Sequence, residues 1–268
     1  MNNEQPLISI IVSTLNDGDK LISTINSISS QDYKFKELII IDGNSSDTTK
    51  DILKKNKQKI DFYISENDEG IYDAWNKGIS NSNGKWISFL GAGDRYYQED
   101  SLSSLLRCVS DPETNFVSGI IYLENKNNEQ IGSLGKKWNK DNLKNNINIG
   151  HPGSLHHISL FNQYGRFNKN YKICGDYEFL IRASKTIVAN FCPHYIVKMD
   201  NLGISNQRPF LAIYESAKAM YFSRDFGVYL SIRYTLLSLT KTIIKFILLK
   251  FPYGETLIKK MKREKIDK

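Results

Sequence analysis

The 268-residue sequence is poor in cysteine, and its few thiols stand apart from one another. There are three of them, Cys108, Cys174 and Cys192, and no two form a Cys-x-x-Cys pair. An odd number of widely spaced thiols argues against a disulfide framework or a zinc knuckle, and it favours a reducing compartment.

Long hydrophobic runs are also missing. The most apolar stretch, residues 226–251, is interrupted by Arg233, Lys241, Lys245 and Lys250. It therefore contains no clean window of about 18 apolar residues, the length that a membrane-spanning helix needs. The first residues lack the basic region and the long apolar core of a signal peptide. We expect a cytoplasmic protein without a spanning segment.

Several short motifs of common enzyme classes do not occur. The sequence has no Walker A loop, no Gly-x-Gly-x-x-Gly, no His-Glu-x-x-His and no Gly-x-Ser-x-Gly. These absences argue against P-loop nucleotide hydrolases, dinucleotide-dependent dehydrogenases, zinc proteases and serine hydrolases of the α/β-hydrolase type.

The positive charge is concentrated at one end of the chain. Residues 241–268 hold nine Lys or Arg and three Asp or Glu, which is +6 of the total net charge of +7. A nucleic-acid-binding domain needs a basic face on its folded body, so we expect no nucleic-acid partner. A basic tail instead predicts attachment to an anionic surface such as a membrane leaflet.

The first 110 residues alternate β-branched runs with helical patterns. Buried strands are predicted at residues 7–13, 37–41, 62–64 and 86–90. Helices between them complete the strand–helix–strand pattern of a parallel sheet with helices on both faces. Polar clusters follow the four strands, at the sheet edge where ligands bind in this fold class. They comprise residues 14–17, 42–47, 66–68 and 91–94.

The pattern loosens after about residue 110. Residues 116–123 predict a strand, residues 124–148 a long loop rich in Asn and Lys, and residues 176–184 an amphipathic helix. From about Pro209 the pattern is helical to the end. We therefore predict an α/β domain over residues 1–208, with halves of about 1–110 and 111–208, and a helical extension over residues 209–268.

Three segments together resemble a known family. They are residues 6–16 (PLISIIVSTLN), 38–49 (LIIIDGNSSDTT) and 65–79 (SENDEGIYDAWNKGI). Their order resembles the opening of family 2 glycosyltransferases, and the third segment is similar to the subgroup that builds bacterial O-antigen of lipopolysaccharide, capsule and colanic acid. The resemblance covers about residues 5–200. It implies the GT-A fold, a Rossmann-like, mostly parallel sheet with flanking helices, with a nucleotide-sugar half followed by an acceptor half.

The resemblance implies that six residues contact the donor nucleotide, namely Thr14, Asn16, Asp42, Asp68, Asn76 and Lys77. Asp42 matches the acid that contacts the base. The residue types alone allow other interpretations: Asp42 and Asp68 suit turns or helix caps, and the polar stripe that holds Asn76 and Lys77 suits a solvated helix face. Trp75 lies on the apolar stripe of the same helix, which predicts a core residue rather than a sugar-stacking platform.

Residues 90–94 (LGAGD) stand where the family carries its Asp-x-Asp metal motif, with glycine at 91 and 93 in place of acids. The resemblance implies that the remaining acid, Asp94, holds Mn²⁺ or Mg²⁺ against the donor diphosphate. One carboxylate is enough where phosphates and waters fill the other metal positions. The missing acid predicts weaker metal binding, and a plain turn is the alternative interpretation.

Residues 171–182 (YKICGDYEFLIR) resemble the family segment whose Asp is the general base. Asp176 matches that base, with Gly175 in place of the more common preceding acid, and Glu178 is a second candidate. His151 matches a His-Pro pair at the edge of the acceptor site and is a candidate for acceptor or diphosphate contact. The alternatives are a helix cap for Asp176 and a hydrogen-bonded structural role for His151.

The resemblance and the tail together predict an inverting, metal-dependent hexosyltransferase in surface polysaccharide biosynthesis. A UDP-sugar is the favoured donor, and the expected acceptor is an undecaprenyl-linked saccharide. The extension predicts helices in the membrane interface, and therefore a peripheral protein on the cytoplasmic face of the inner membrane; a helix packed on the catalytic body is the alternative. Two other functions stay open: a non-catalytic membrane-bound assembly partner with a degenerate metal site, and a sugar-nucleotidyltransferase.

Overall fold

The computed structural model describes residues 7–144, 149–200, 203–223 and 225–251. The chain divides into two units, Met1–Gly203 and Ile204–Lys268. The predicted boundary after residue 208 lies at the start of a helix of the second unit. Most of the predicted basic tail, residues 252–268, lies outside the described residues.

The first unit combines strands and helices, and its first four strands alternate with helices as the sequence predicts. Its strands are β1 (Ile8–Thr14), β2 (Lys36–Asp42), β3 (Phe62–Ser65), β4 (Trp86–Gly91), β5 (Arg95–Tyr96), β6 (Phe116–Glu124), β7 (Gln130–Leu134), β8 (Ser154–His157) and β9 (Ala189–Asp200). Its α-helices are α1 (Gly18–Ser29), α2 (Thr49–Lys55), α3 (Ile71–Ser80), α4 (Ser101–Arg107), α5 (Ile158–Tyr164) and α6 (Gly175–Ala183).

The prediction of one long loop over residues 124–148 is wrong in its first part. β7 turns back and pairs antiparallel with β6, and a short 3₁₀ helix follows at Lys140–Lys144. The sequence did not reveal β7 because its side chains are mostly exposed, so it has no buried apolar pattern. Pairing with β6, rather than burial, makes it a strand.

All nine described strands join one sheet in the order β3-β2-β1-β4-β8-β6-β9-β5, with β7 beside β6. β3, β2, β1 and β4 run parallel, as predicted. β8 is antiparallel to both of its neighbours, which makes the complete sheet mixed. The carboxyl ends of the four parallel strands share one edge, and the polar loops predicted from the sequence follow them there.

The β-branched runs form strands because the sheet is covered on both faces. On one face Ile10 and Val12 of β1 join Ile25 of α1 and Leu102 of α4 in a core, and all four are fully buried. On the other face Phe89 of β4 lies in an aromatic cluster, which we define as Tyr72, Trp75, Phe89, His151, His156, Phe161, Phe167 and Phe179. Trp75 is 5% exposed, which confirms that it is a core residue.

The second unit is helical in its described part. It consists of α7 (Ile204–Gln207), α8 (Pro209–Phe222) and α9 (Gly227–Leu248). α8 begins at Pro209, a residue well suited to the first turn because it needs no hydrogen bond from its nitrogen. The Ser231 hydroxyl of α9 donates to the carbonyl of Ala217 in α8 at 2.8 Å. None of the described helices has the length and apolar character needed to cross a bilayer.

Candidate active site

The loop after β2 is built around a buried carboxylate. Asp42, the last residue of β2, is fully buried, and it lies in register with Thr14 at the end of β1. Its Oδ2 accepts from the Ser65 hydroxyl at 2.6 Å, and its oxygens also accept from the N–H (3.2 Å) and the hydroxyl of Ser45. Asp42 therefore joins the ends of β2 and β3 and shapes the loop between β2 and α2.

Two further predicted residues lie beside this loop. Asn16 adopts a φ of 53°, a left-handed conformation that Asn tolerates better than most residues, and its Oδ1 accepts from the Ser46 N–H at 2.9 Å. The Thr14 hydroxyl is buried and has no hydrogen-bond partner among the described residues. A buried, unpartnered hydroxyl at the carboxyl end of a strand is available to a ligand, since such groups are normally paired.

Asp68, in the loop after β3, packs against the loop after β2. Its Oδ1 accepts from the Gly70 N–H at 2.9 Å. Its Oδ2 lies so close to Gly43 that a Cβ at position 43 would stand 2.7 Å away. Gly43 is therefore needed for the approach of Asp68, and the structure brings Asp42 and Asp68 to the same part of the sheet edge.

Asn76 and Lys77 of α3 both bond within the protein. The Asn76 carboxamide donates to the Phe167 carbonyl at 2.9 Å and accepts from the Phe167 N–H at 3.0 Å. The Lys77 ammonium pairs with Glu66 at 2.8 Å and donates to the Asn67 carbonyl at 2.8 Å. These bonds fasten α3 to its neighbouring loops. Contact with a donor nucleotide remains a prediction for both residues.

Hydrogen bonds to the backbone of the turn after β4 fix the position of Asp94. The Asp94 N–H donates to the Gly91 carbonyl at 3.0 Å, and Asp94 Oδ2 accepts from the Gly91 N–H at 2.8 Å. Gly93 has a φ of +101°, which glycine adopts at little cost. Asp94 thus belongs to a turn, as one interpretation of the sequence predicted. A structural role in this turn is compatible with a second role for the carboxylate in binding a ligand.

Asp94 lies in an environment that disfavours its negative charge. Burial raises its pKa to about 7, the Asp200 carboxylate adds to that increase, and Arg95 opposes it. Arg95 itself forms an ion pair with Glu124 of β6. Asp94 has no ion pair of its own among the described residues, so a bound cation would remove a real electrostatic cost.

The Asp94 carboxylate suits a divalent cation whose other ligands are mainly phosphate oxygens and water. No group of three or more His, Cys, Asp or Glu side chains that could hold a metal ion occurs in the part of the chain that the structure describes. Carboxylate oxygens suit Mn²⁺ and Mg²⁺, and Mg²⁺ in particular often takes only one or two of them and completes its shell with phosphates and water. The sequence interpretation missed Asp200, because only the antiparallel pairing of β5 with β9 brings it near Asp94.

Asp176 lies in the first turn of α6, where two donors meet the same carboxylate oxygen. Its Oδ1 accepts from the Tyr177 N–H at 2.8 Å and from the Tyr72 hydroxyl at 3.1 Å. The first helical turn also favours its negative charge through the helix dipole. Glu178, the second candidate base, forms a two-point ion pair with Arg182 at 2.9 and 3.0 Å. The ion pair with Arg182 holds the Glu178 carboxylate, which makes Asp176 the stronger candidate base.

His151 is buried in the aromatic cluster, where its ring stacks on Trp75 with centroids 4.8 Å apart. Neither ring nitrogen has a hydrogen-bond partner among the described residues. Burial lowers the pKa of His151 to about 3, so the ring is neutral at neutral pH. His156 lies 4.8 Å from it, centroid to centroid. The acceptor or diphosphate role of His151 remains a prediction.

Comparison with known proteins agrees with this architecture. The family model described as glycosyl transferase family 2 matches residues 9–173. A PGL/p-HBAD biosynthesis glycosyltransferase of Mycobacterium bovis is 31% identical over 209 residues, covering 75% of this chain and 80% of that protein. A Bacillus subtilis protein named as a teichuronic acid biosynthesis glycosyltransferase, TuaG, is 32% identical over 121 residues, covering 43% of this chain and 47% of that protein.

Solved structures show the same fold. Mannosyltransferase PcManGT from Pyrobaculum calidifontis, in complex with GDP-Man and Mn²⁺, has a TM-score of 0.65 at 14% identity, over 95% of this chain and 84% of that one. S. aureus TarS 1-349 in complex with UDP-GlcNAc has a TM-score of 0.62 at 15% identity, over 81% and 67% of the two chains. These likenesses confirm the predicted GT-A fold. Because the family model matches residues 9–173 and a relative with this activity in its name is 31% identical over most of both chains, this chain belongs to glycosyl transferase family 2.

Proposed function

We propose that this protein transfers a hexose from a nucleotide-sugar to a saccharide acceptor during glycoconjugate biosynthesis, with a divalent cation and with inversion at the anomeric carbon. The observation that carries the proposal is the half-buried Asp94 carboxylate, which forms no ion pair within the part of the chain that the structure describes and lies at the same sheet edge as Asp42 and Thr14. Relatives named for PGL/p-HBAD and teichuronic acid biosynthesis support the broad pathway class. Neighbours solved with UDP-GlcNAc and GDP-Man support a nucleotide-sugar donor.

The loops after β1, β2 and β3 form the donor site in this proposal. Asp42 is held by Ser45 and Ser65, so its carboxylate has a fixed direction and does not need to reorganise when a base binds. The unpartnered Thr14 hydroxyl is a further group that a nucleotide would satisfy. We favour a UDP-sugar, with GDP- and dTDP-sugars as the alternatives.

Asp94, with Asp200 nearby, would hold Mn²⁺ or Mg²⁺ at this edge. When bound, the cation would neutralise the charge that develops on the diphosphate leaving group. Asp176 accepts the proton of an acceptor hydroxyl as that oxygen bonds to the anomeric carbon. The bond from the anomeric carbon to the diphosphate oxygen breaks in the same step, its electron pair leaves with the nucleoside diphosphate, and Asp176 later returns the proton to water.

The second unit supports an acceptor that is anchored to a membrane. Large apolar side chains of α8 and α9 are exposed, among them Phe222 (72%), Tyr229 (77%) and Leu236 (62%). Lys241 and Lys245 are exposed on the same helix as Leu236. Apolar side chains beside lysines suit an interface of anionic lipids, where the lysines reach the phosphates. We propose that this unit attaches the protein to the inner membrane, where an undecaprenyl-linked saccharide would be the acceptor.

Binding to lipid vesicles tests the membrane part of this proposal. We expect co-sedimentation with vesicles that contain phosphatidylglycerol, weaker binding to vesicles of phosphatidylcholine alone, and a loss of about tenfold in the Lys241→Glu/Lys245→Glu variant. Self-association of the second unit, without any binding to vesicles, would mean that another copy of the chain covers the apolar surface.

Release of nucleoside diphosphate from a panel of UDP-, GDP- and dTDP-sugars in the presence of Mn²⁺ tests the reaction. We expect turnover of one donor, its loss in Asp94→Asn and Asp176→Asn, and unchanged turnover in Asp51→Asn, an exposed carboxylate on α2 that serves as the control. Nucleotide binding without any transfer would favour the non-catalytic assembly partner. Synthesis of a nucleotide-sugar from a nucleoside triphosphate and a sugar phosphate would favour the nucleotidyltransferase.

A further inference from the structure

Tyr72 connects the aromatic cluster to the carboxylate of Asp176. It lies in the first turn of α3, and its ring packs edge-on to Trp75 at 5.4 Å and tilted to Phe167 at 5.7 Å, centroid to centroid. Only 3% of the residue is exposed. The ring is therefore held by packing, and its hydroxyl has one well-defined position.

That position lies between two oxygen atoms at the start of α6. The Tyr72 oxygen is 2.6 Å from the Ile173 carbonyl and 3.1 Å from Asp176 Oδ1. A tyrosine hydroxyl has a single proton, so it can donate to either oxygen but not fully to both. Burial raises the pKa of Tyr72 well above its ordinary value, which keeps the hydroxyl protonated and able to donate.

The Tyr177 N–H reaches the same oxygen, Oδ1 of Asp176. When the Tyr72 proton is directed to Asp176, two donors converge on one carboxylate oxygen and restrict the rotation of the carboxylate about its bond to Cβ. The direction of the second oxygen, Oδ2, is then restricted as well. A donor that is available when the carboxylate is charged also stabilises the charged form, which lowers the pH below which a base stops working.

Gly175 makes this approach possible. A Cβ at position 175 would stand 2.8–2.9 Å from three carbons of the Tyr72 ring, closer than real Cβ contacts allow. This close contact explains why the chain has glycine at position 175, where the family more commonly has an acid. The space that a side chain would need is occupied by the Tyr72 ring.

We propose that Tyr72 is a positioning residue for Asp176: its hydroxyl orients the carboxylate and supports its charged form during proton transfer from the acceptor. This inference rests on the proposed function, because it assumes that Asp176 is the base. It also links the helix that follows the Asp68 loop to the base, since Tyr72 belongs to α3.

The test compares Tyr72→Phe, which keeps the ring and removes the hydroxyl, with the parent enzyme across about pH 5 to 9. We expect kcat to fall about tenfold, the acid limb of the kcat profile to move up by about 0.5 to 1 pH unit, and KM for the donor to stay within about twofold. Tyr164→Phe is the matched control, because it likewise removes a tyrosine hydroxyl, one that accepts from Thr186 at 2.8 Å. Gly175→Ala, which displaces the ring, should move the acid limb in the same direction.

A double variant separates this inference from the proposed function. In an Asp176→Asn background, Tyr72→Phe should change the residual rate by less than about twofold, because the carboxylate that it positions is gone. If Asp176→Asn is inactive but Tyr72→Phe and Gly175→Ala keep the parent pH profile, Tyr72 is structural and the inference is overturned. If Asp176→Asn retains the parent rate, the base assignment in the proposed function is itself wrong.

Discussion

The loops that follow β2 and β4 lie at the same edge of the sheet, and each contains a carboxylate, but the two carboxylates differ in their surroundings. Asp42 is fully buried and accepts hydrogen bonds from Ser45 and Ser65. Asp94 is half-buried, accepts from the Gly91 N–H and has no ion pair among the described residues. The first carboxylate organises a loop, whereas the second retains an electrostatic cost that a cation would remove. A buried charge without compensation more often indicates a functional role than a satisfied one does.

The largest expected effect is on activity. Asp94→Asn keeps the size of the side chain and removes the charge, so transfer should fall by about 100-fold or more, because the metal would lose the Asp94 carboxylate. Initial rates at several Mn²⁺ concentrations provide the measurement. A rate within about threefold of the parent at every Mn²⁺ concentration would show that Asp94 does not hold the metal.

Asp42→Ala should lower stability in addition to removing the proposed contact with the donor base. The variant leaves the donors of Ser45 and Ser65 without their acceptor in a buried place, which costs on the order of 1 to 3 kcal/mol in the free energy of unfolding. Urea unfolding measures this cost, with Asp51→Ala as an exposed control. Equal stability of the two variants would mean that the loop does not depend on Asp42.

Removing the charge of Asp94 should raise the stability of the metal-free protein, whereas removing Asp42 lowers it. Burial raises the pKa of Asp94 from 3.8 to about 7, so the folded state holds a proton that the unfolded state loses as pH rises through that range. The cost of the charge is small near pH 4 and complete above about pH 7. Asp94→Asn should therefore stabilise the metal-free protein at about pH 8 by roughly 1 to 2 kcal/mol, discounted for partial exposure, and much less at about pH 4.

Mn²⁺ offers a control for this effect. It should raise the melting temperature of the parent at about pH 8 and leave Asp94→Asn unchanged, since binding to the folded state alone stabilises it. A pH-independent difference between the two proteins would mean that packing, and not charge, separates them.

The smallest effect concerns the contact between the loops after β2 and β3. A Cβ at Gly43 would meet Asp68 Oδ2 at 2.7 Å, so Gly43→Ala should push Asp68 aside and raise KM for the donor a few-fold, while kcat changes little. Gly132→Ala is the control, because a Cβ there would meet only Leu123, at 3.8 Å. An unchanged KM in Gly43→Ala would argue against a donor contact at Asp68.

Local sequence patterns were enough to predict much of the secondary structure of the first unit. Short β-branched runs predicted β1 to β4 because strands covered on both faces need apolar side chains throughout. Polar residues at their ends predicted the position of Thr14, Asn16, Asp42 and Asp68 at one sheet edge. The same patterns missed β7, since an exposed strand leaves no apolar period to detect.

The sequence by itself determined the parallel half of the sheet, the loops at its edge and the family, because each depends on residues close together in the chain. Only the tertiary structure brought Asp200 near Asp94, through the pairing of β5 with β9, and Tyr72 to Asp176, 104 residues away. Such approaches depend on strand register and on packing between distant helices. No local period encodes them, so the surroundings that set the charge and direction of both carboxylates had to be observed in the fold.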